Sequence, residues 1–146
     1  MKSAFYLGAA ALLLSACGGA DDEPATKTSE LRADCDILAS DPEAQETFDE
    51  TGITADTFCG CFEKVVASRT ETEQAQMKVT LSRVTTAMEE NGQGAEDVVG
   101  NMMGSLMMAA EEDTEAQDLT AGISLIGDAI NDIGNSYEDG NSCPAG

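Results

Sequence analysis

The chain has 146 residues, with 28 carboxylates against 7 lysines and arginines, no histidine, and a formal charge of −21. A surface of that sign repels phosphate backbones, which argues against nucleic-acid binding. The missing imidazole removes the commonest general base, the usual zinc and copper ligand, and every Ser-His or Cys-His nucleophile arrangement.

The first element is a leader. Lys2 supplies one positive charge, Ala4 to Leu14 (AFYLGAAALLL) an apolar run, and Ser15 and Ala16 small residues ahead of Cys17. Such a layout marks a secretory signal. The apolar run is about half the roughly 20 residues needed to span a bilayer. Leu14-Ser15-Ala16-Cys17 resembles the lipobox of bacterial lipoprotein precursors. The resemblance covers residues 1–16 as signal peptide and Cys17 as modified residue. It implies cleavage between Ala16 and Cys17, with Cys17 becoming an S-diacylglycerol and N-acyl (palmitate-type) cysteine. A thiolate is the strongest side-chain nucleophile available for that thioether. Several acyl chains make such an anchor effectively permanent. Gly18 stands where an aspartate would favour inner-membrane retention, so the resemblance places the protein on the outer membrane, facing the periplasm.

Losing residues 1–16 takes away Lys2 alone among charged groups and moves the formal charge from −21 to −22. Residues 17–29 (CGGADDEPATKTS) are small, polar and broken by Pro24, and read as a flexible tether. Residues 30–146 form one acidic domain whose pattern is helical throughout. Leu31, Cys35 and Leu38 lie on one stripe of a first helix. Asp41-Pro42 is an N-cap with proline at the first helical position, and Gly52 the stop of a short helix bearing Phe48. Thr54 caps the next helix, with Ile53 and Phe58 spaced as a hydrophobic staple. Thr70 and Glu73 have capping-box spacing, followed by Met77, Leu81, Val84 and Met88. Asn91-Gly92-Gln93-Gly94 turns the chain. Val98, Val99, Met102, Met103, Leu106, Met107 and Ala110 form an apolar face on the following helix. Thr114 with Gln117 reads as another capping box, opening a helix with the stripe Leu119, Ile123, Ile126, Ile130, Ile133 and Tyr137. No segment alternates with period two. An all-α bundle of four main helices plus short pieces follows. Glycines 100, 104, 122, 127 and 134 inside helices point to close helix contacts.

With Cys17 acylated, Cys35, Cys59, Cys61 and Cys143 are left, an even number that reads as two disulfides in an oxidising periplasm. At 100° per residue, Cys59 and Cys61 flank the Phe58-Phe62-Val65-Val66 face on opposite sides, so they do not pair with each other. One partners Cys35 and the other Cys143; both crossed pairings are open. A redox or copper role for Cys59-Gly60-Cys61 is the competing reading.

No catalytic residues emerge. Ser124 lies in Gly122-Ile-Ser-Leu-Ile-Gly127, which is not G-x-S-x-G, and no phosphate-binding or dinucleotide motif appears. No segment has calcium-loop spacing; Asn135 to Gly140 comes nearest, with Tyr137 at a ligand position. Met102, Met103, Met107 and Met108 are the one suggestive cluster: adaptable core, or a groove for an apolar ligand or partner helix, or a soft site for Cu(I) on Met103 and Met107. The expectation is therefore a non-catalytic binding module, without cofactor or resident metal, held at the membrane and partnered with another envelope protein. The alternative is a carrier of Ca²⁺, Cu⁺ or a small apolar ligand, and the weakest is a carboxylate enzyme.

Overall fold

A computed structural model describes residues 23–109, 112–140 and 142–144, with side chains from residue 30 onward. The leader, Cys17, the start of the tether and Ala110 lie outside the described residues. The described residues form six helices in order: α1 Glu23–Ala39, α2 Pro42–Thr51, α3 Ala55–Ser68, α4 Glu71–Asn91, α5 Ala95–Leu106 and α6 Thr114–Gly140. Among the described residues there is no strand, and no helix long and apolar enough to cross a membrane. The four longest helices, α1, α3, α4 and α6, make the bundle, with α6 packed most extensively on α4 and α1 on α3.

The helix starts follow from short side chains that accept orphan amide protons. Asp41 Oδ1 accepts the Glu43 N–H at 2.9 Å, with Pro42 at the first position of α2. Thr54 Oγ1 accepts the Thr57 N–H at 3.2 Å, and the stapling residues Ile53 and Phe58 are both buried. The reciprocal box at Thr70 and Glu73 is complete, with the Thr70 N–H donating to Glu73 Oε2 at 2.9 Å. Gly52 and Gly92 close α2 and α4 in the left-handed region, at φ +71° and +61°.

Three starts and stops differ from the sequence reading. α1 begins at Glu23, inside the stretch read as tether; Pro24 falls in its first turn, where a missing N–H interrupts no intrahelical bond. α6 is capped by Asp113 and not by a Thr114–Gln117 box: Asp113 Oδ1 accepts the amides of Glu115 and Ala116 at 3.0 and 3.1 Å. A carboxylate there also suits the positive end of the helix dipole. α5 stops at Leu106, where Met108 N–H bonds Ser105 O and Ala109 N–H bonds Leu106 O. Those tighter i to i−3 bonds turn the chain out of the helix.

The main core joins Leu31, Cys35, Phe48, Ile53, Phe58, Phe62, Val65, Val66, Met77, Leu81, Ile126 and Ile133. Phe48 and Phe58 meet with ring centroids 5.2 Å apart, and Phe58 and Phe62 at 6.3 Å. A smaller cluster of Val84, Met88 and Val98 packs between α4 and α5, and Leu38 touches both clusters. Two disulfides, Cys35–Cys59 and Cys61–Cys143, join α1 and the C-terminal tail to α3, with Cα–Cα separations of 5.7 and 5.2 Å. Cys59 and Cys61 pair away from each other, as their places on either flank of α3 require.

Of the helical glycines, Gly122 alone makes the expected close contact. A Cβ there would collide with Thr80 Oγ1 and stand 2.8 Å from the Gln76 carbonyl oxygen, so α4 and α6 cross at van der Waals distance on this glycine. The buried Thr80 hydroxyl has no hydrogen-bond partner among the described residues. Gly100, Gly104, Gly127 and Gly134 face open space.

Candidate binding groove

The four methionines singled out from sequence do not assemble into one groove. Met102 packs beside the Val84–Met88–Val98 cluster, whereas Met107 and Met108, in the turn beyond α5, are 83% and 89% exposed. Among the described residues no three His, Cys, Asp or Glu side chains converge to hold a metal ion. Cys59 and Cys61 are both consumed in disulfides.

The apolar opening lies along α6 instead. One cavity of about 270 Å³ is bounded by Leu38, Phe48, Ile53, Phe58, Ile133 and Gly134. A second, of about 260 Å³, is bounded by Leu81, Val84, Val99, Ile123, Ile126 and Gly127. Leu38, Ala95 and Ile130 line both, so the two adjoin along α6 with Ile130 at their boundary. Either cavity alone is below the usual size of a ligand site, and together they enter that range. The floor is a single helix face, because Ile123, Ile126, Gly127, Ile130, Ile133 and Gly134 follow i, i+3, i+4, i+7, i+10, i+11. At 1.5 Å per residue it runs about 16 Å along α6. A larger trough of about 800 Å³ between α1 and α4 is lined by Leu31, Val79 and Ala87 and edged by Glu30, Asp34, Lys78, Arg83 and Glu90.

Two features keep the groove open. Ile130 is 39% exposed although it stands between the buried Ile126 and Ile133 on the same stripe. Gly127 and Gly134 stand where a Cβ would meet nothing within 4 Å, so the space above them is unfilled by any neighbour. A helical glycine costs about 1 kcal/mol relative to alanine. At Gly122 close packing accounts for it.

The lip is acidic. Asp41 is only 4% exposed and caps two helices at once: Oδ1 holds the start of α2, and Oδ2 accepts the Ala95 N–H at 2.9 Å, starting α5. Gly94 provides the room, since a Cβ there would press on Asp41 Oδ2 at 3.1 Å. This shared cap brings Glu43, on the first cavity, against Glu96, on the second. The Glu96 charge, and a hydrogen bond between the two carboxyls, hold Glu43 above the ordinary carboxylate range. Asp34, farther along α1, is also raised, there by burial, although the Thr85 hydroxyl donates to it at 3.1 Å.

The basic side chains involved in ion pairs lie elsewhere. Arg32 pairs with Asp36 and Asp56, Arg69 with Asp132 at 3.6 Å, and Arg83 with Glu115. They strap α1 to α3, the end of α3 to α6, and α4 to α6. Among the described residues none of these pairs reaches Glu43 or Glu96.

The sequence reading found most of the floor, as the α6 stripe, and missed the groove. Its walls come from five helices far apart in the chain. The one local sign was a pair of glycines seven residues apart on an apolar helix face. No family model, known protein or solved structure matches the chain.

Proposed function

We propose that the chain is a lipid-anchored lipoprotein of the bacterial cell envelope whose helical domain binds rather than catalyses, taking an apolar segment into the groove along α6. In this reading Cys17 carries the acyl chains, the protein sits on the outer membrane facing the periplasm, and the bound segment belongs to another envelope protein or to a small ligand. The observation that carries the binding role is the pair of apolar cavities adjoining at Ile130, with Gly127 and Gly134 beneath unfilled volume. The two disulfides support export, since such bonds persist in oxidising compartments.

Both halves of the proposal are testable. Radiolabelled palmitate should enter the wild-type chain and not Cys17→Ser, and intact mass should show loss of residues 1–16; an unacylated native product would refute the anchor. For the groove, the neutral apolar dye N-phenylnaphthylamine should brighten on the wild-type protein and not on Gly127→Leu or Gly134→Leu. Equal brightening in all three would refute the binding site.

A further inference from the structure

We infer that Met107 and Met108 form a reversible oxidation site, taking oxygen onto their thioether sulfurs from electrophilic two-electron oxidants of the hypochlorous acid class and giving it up to thiol-dependent sulfoxide reduction. The inference stands apart from both the groove and the anchor. Position carries its first half. Adjacent residues of a helix point about 100° apart, so one of a pair on a packed helix ordinarily faces the body. α5 ends at Leu106, and the bonds from Met108 N–H to Ser105 O and from Ala109 N–H to Leu106 O turn the chain so that both side chains stand outward, 83% and 89% exposed. Neither belongs to a core cluster. Met77 and Met88 are 0% and 8% exposed, and Met102 and Met103 are half-buried.

The scarcity of competitors carries the second half. The chain has no histidine and no tryptophan. The four described cysteines are tied in disulfides, so among the described residues no thiolate takes the oxidant ahead of a thioether. The sulfur takes chlorine from hypochlorous acid as hydroxide leaves, and water then displaces chloride from sulfur. The net change adds one oxygen and releases chloride and a proton; sulfur loses two electrons and chlorine gains them. Two thiols reverse it, carrying the oxygen away as water and becoming a disulfide. Because both sulfurs lie outside the core, the polar oxygen sits in solvent and the packing is undisturbed.

The test uses the full chain bearing Cys17→Ser, so that the sulfur of residue 17 does not compete, with both disulfides intact. One equivalent of hypochlorous acid is added and tandem mass spectrometry locates the oxygen. Met107 and Met108 together should carry about tenfold or more the oxygen of Met77 and Met88, with Met102 and Met103 between, and the melting temperature should not move. Met107→Leu with Met108→Leu should take up far less oxygen without raising that on Met77 or Met88. Sulfoxide reductases for both sulfoxide epimers, supplied with reduced thioredoxin, should then remove the oxygen from the wild-type residues. Oxygen spread evenly over the methionines from residue 77 onward, or a lower melting temperature at one oxygen per chain, overturns the site. Oxygen that stays on Met107 and Met108 while free methionine sulfoxide in the same tube is reduced overturns its reversibility.

Discussion

Asp41 shows how much one side chain can organise. A buried carboxylate with each oxygen on a different helix start orients α2 and α5 together, and the lip of the groove follows from that orientation. Losing an N-cap costs typically about 1 kcal/mol. Asp41→Ala, which loses two, should destabilise the fold by about 2 kcal/mol in urea unfolding, and Asp41→Asn, with one acceptor oxygen, by about half as much. Equal stability of Asn and wild type would show that one of the two caps carries no energy. The carboxylates also set a pH dependence. Glu43 and Asp34 bind protons more readily in the folded chain than in the unfolded one, so stability falls as pH rises through the range just above ordinary carboxylate values. Glu73 works in the opposite sense: the Thr70 hydroxyl and amide lower it, and its contribution fades as pH falls. The melting temperature of Glu43→Gln should therefore decline less than that of wild type as pH rises from about 4 to neutrality, as read by circular dichroism. Identical declines would mean that the Glu96 charge does not act on Glu43.

At the level of elements, the helical glycines divide into two kinds with opposite predicted responses. Gly122→Ala must push α4 and α6 apart against a backbone carbonyl, which no rotamer change relieves, and should cost about 1 to 3 kcal/mol. Gly127→Ala and Gly134→Ala meet open space and should each stabilise by up to about 1 kcal/mol. Thermal unfolding of the three variants would check the ordering. Local signals made most of the elements legible: Asp41-Pro42, the staple at Ile53 and Phe58, and the box at Thr70 and Glu73 are short-range chemistry written in adjacent residues. The errors arose where two neighbours compete for one role or where the partner is distant. Asp113 outdoes Thr114 as a cap because its carboxylate reaches two amides and carries charge. The cap of α5 comes from a residue 54 positions earlier, so nothing near Gly94 announces it. The methionines after Leu106 read as one apolar face because periodicity does not register where a helix turns away.

For the molecule as a whole, the disulfide pattern sets what can come apart. Cys35–Cys59 closes a sequence separation of 24 and Cys61–Cys143 one of 82. By loop-closure entropy these are worth about 3 to 4 and about 4 to 5 kcal/mol respectively. Replacing Cys61 and Cys143 by serine should therefore destabilise more than replacing Cys35 and Cys59, as measured by denaturant midpoint under non-reducing conditions. The reverse order would place the larger effect in strain or residual unfolded structure. Both bonds converge within one turn of α3, a helix of 14 residues. Tension entering at the α1 end crosses to α3 through sulfur, and the opposite end of the chain is moored to that same helix. A tug on the N-terminus thus loads the middle of the bundle in shear and cannot peel it helix by helix, so single-molecule pulling should show one abrupt rupture, with a contour gain shortened by the two locked loops.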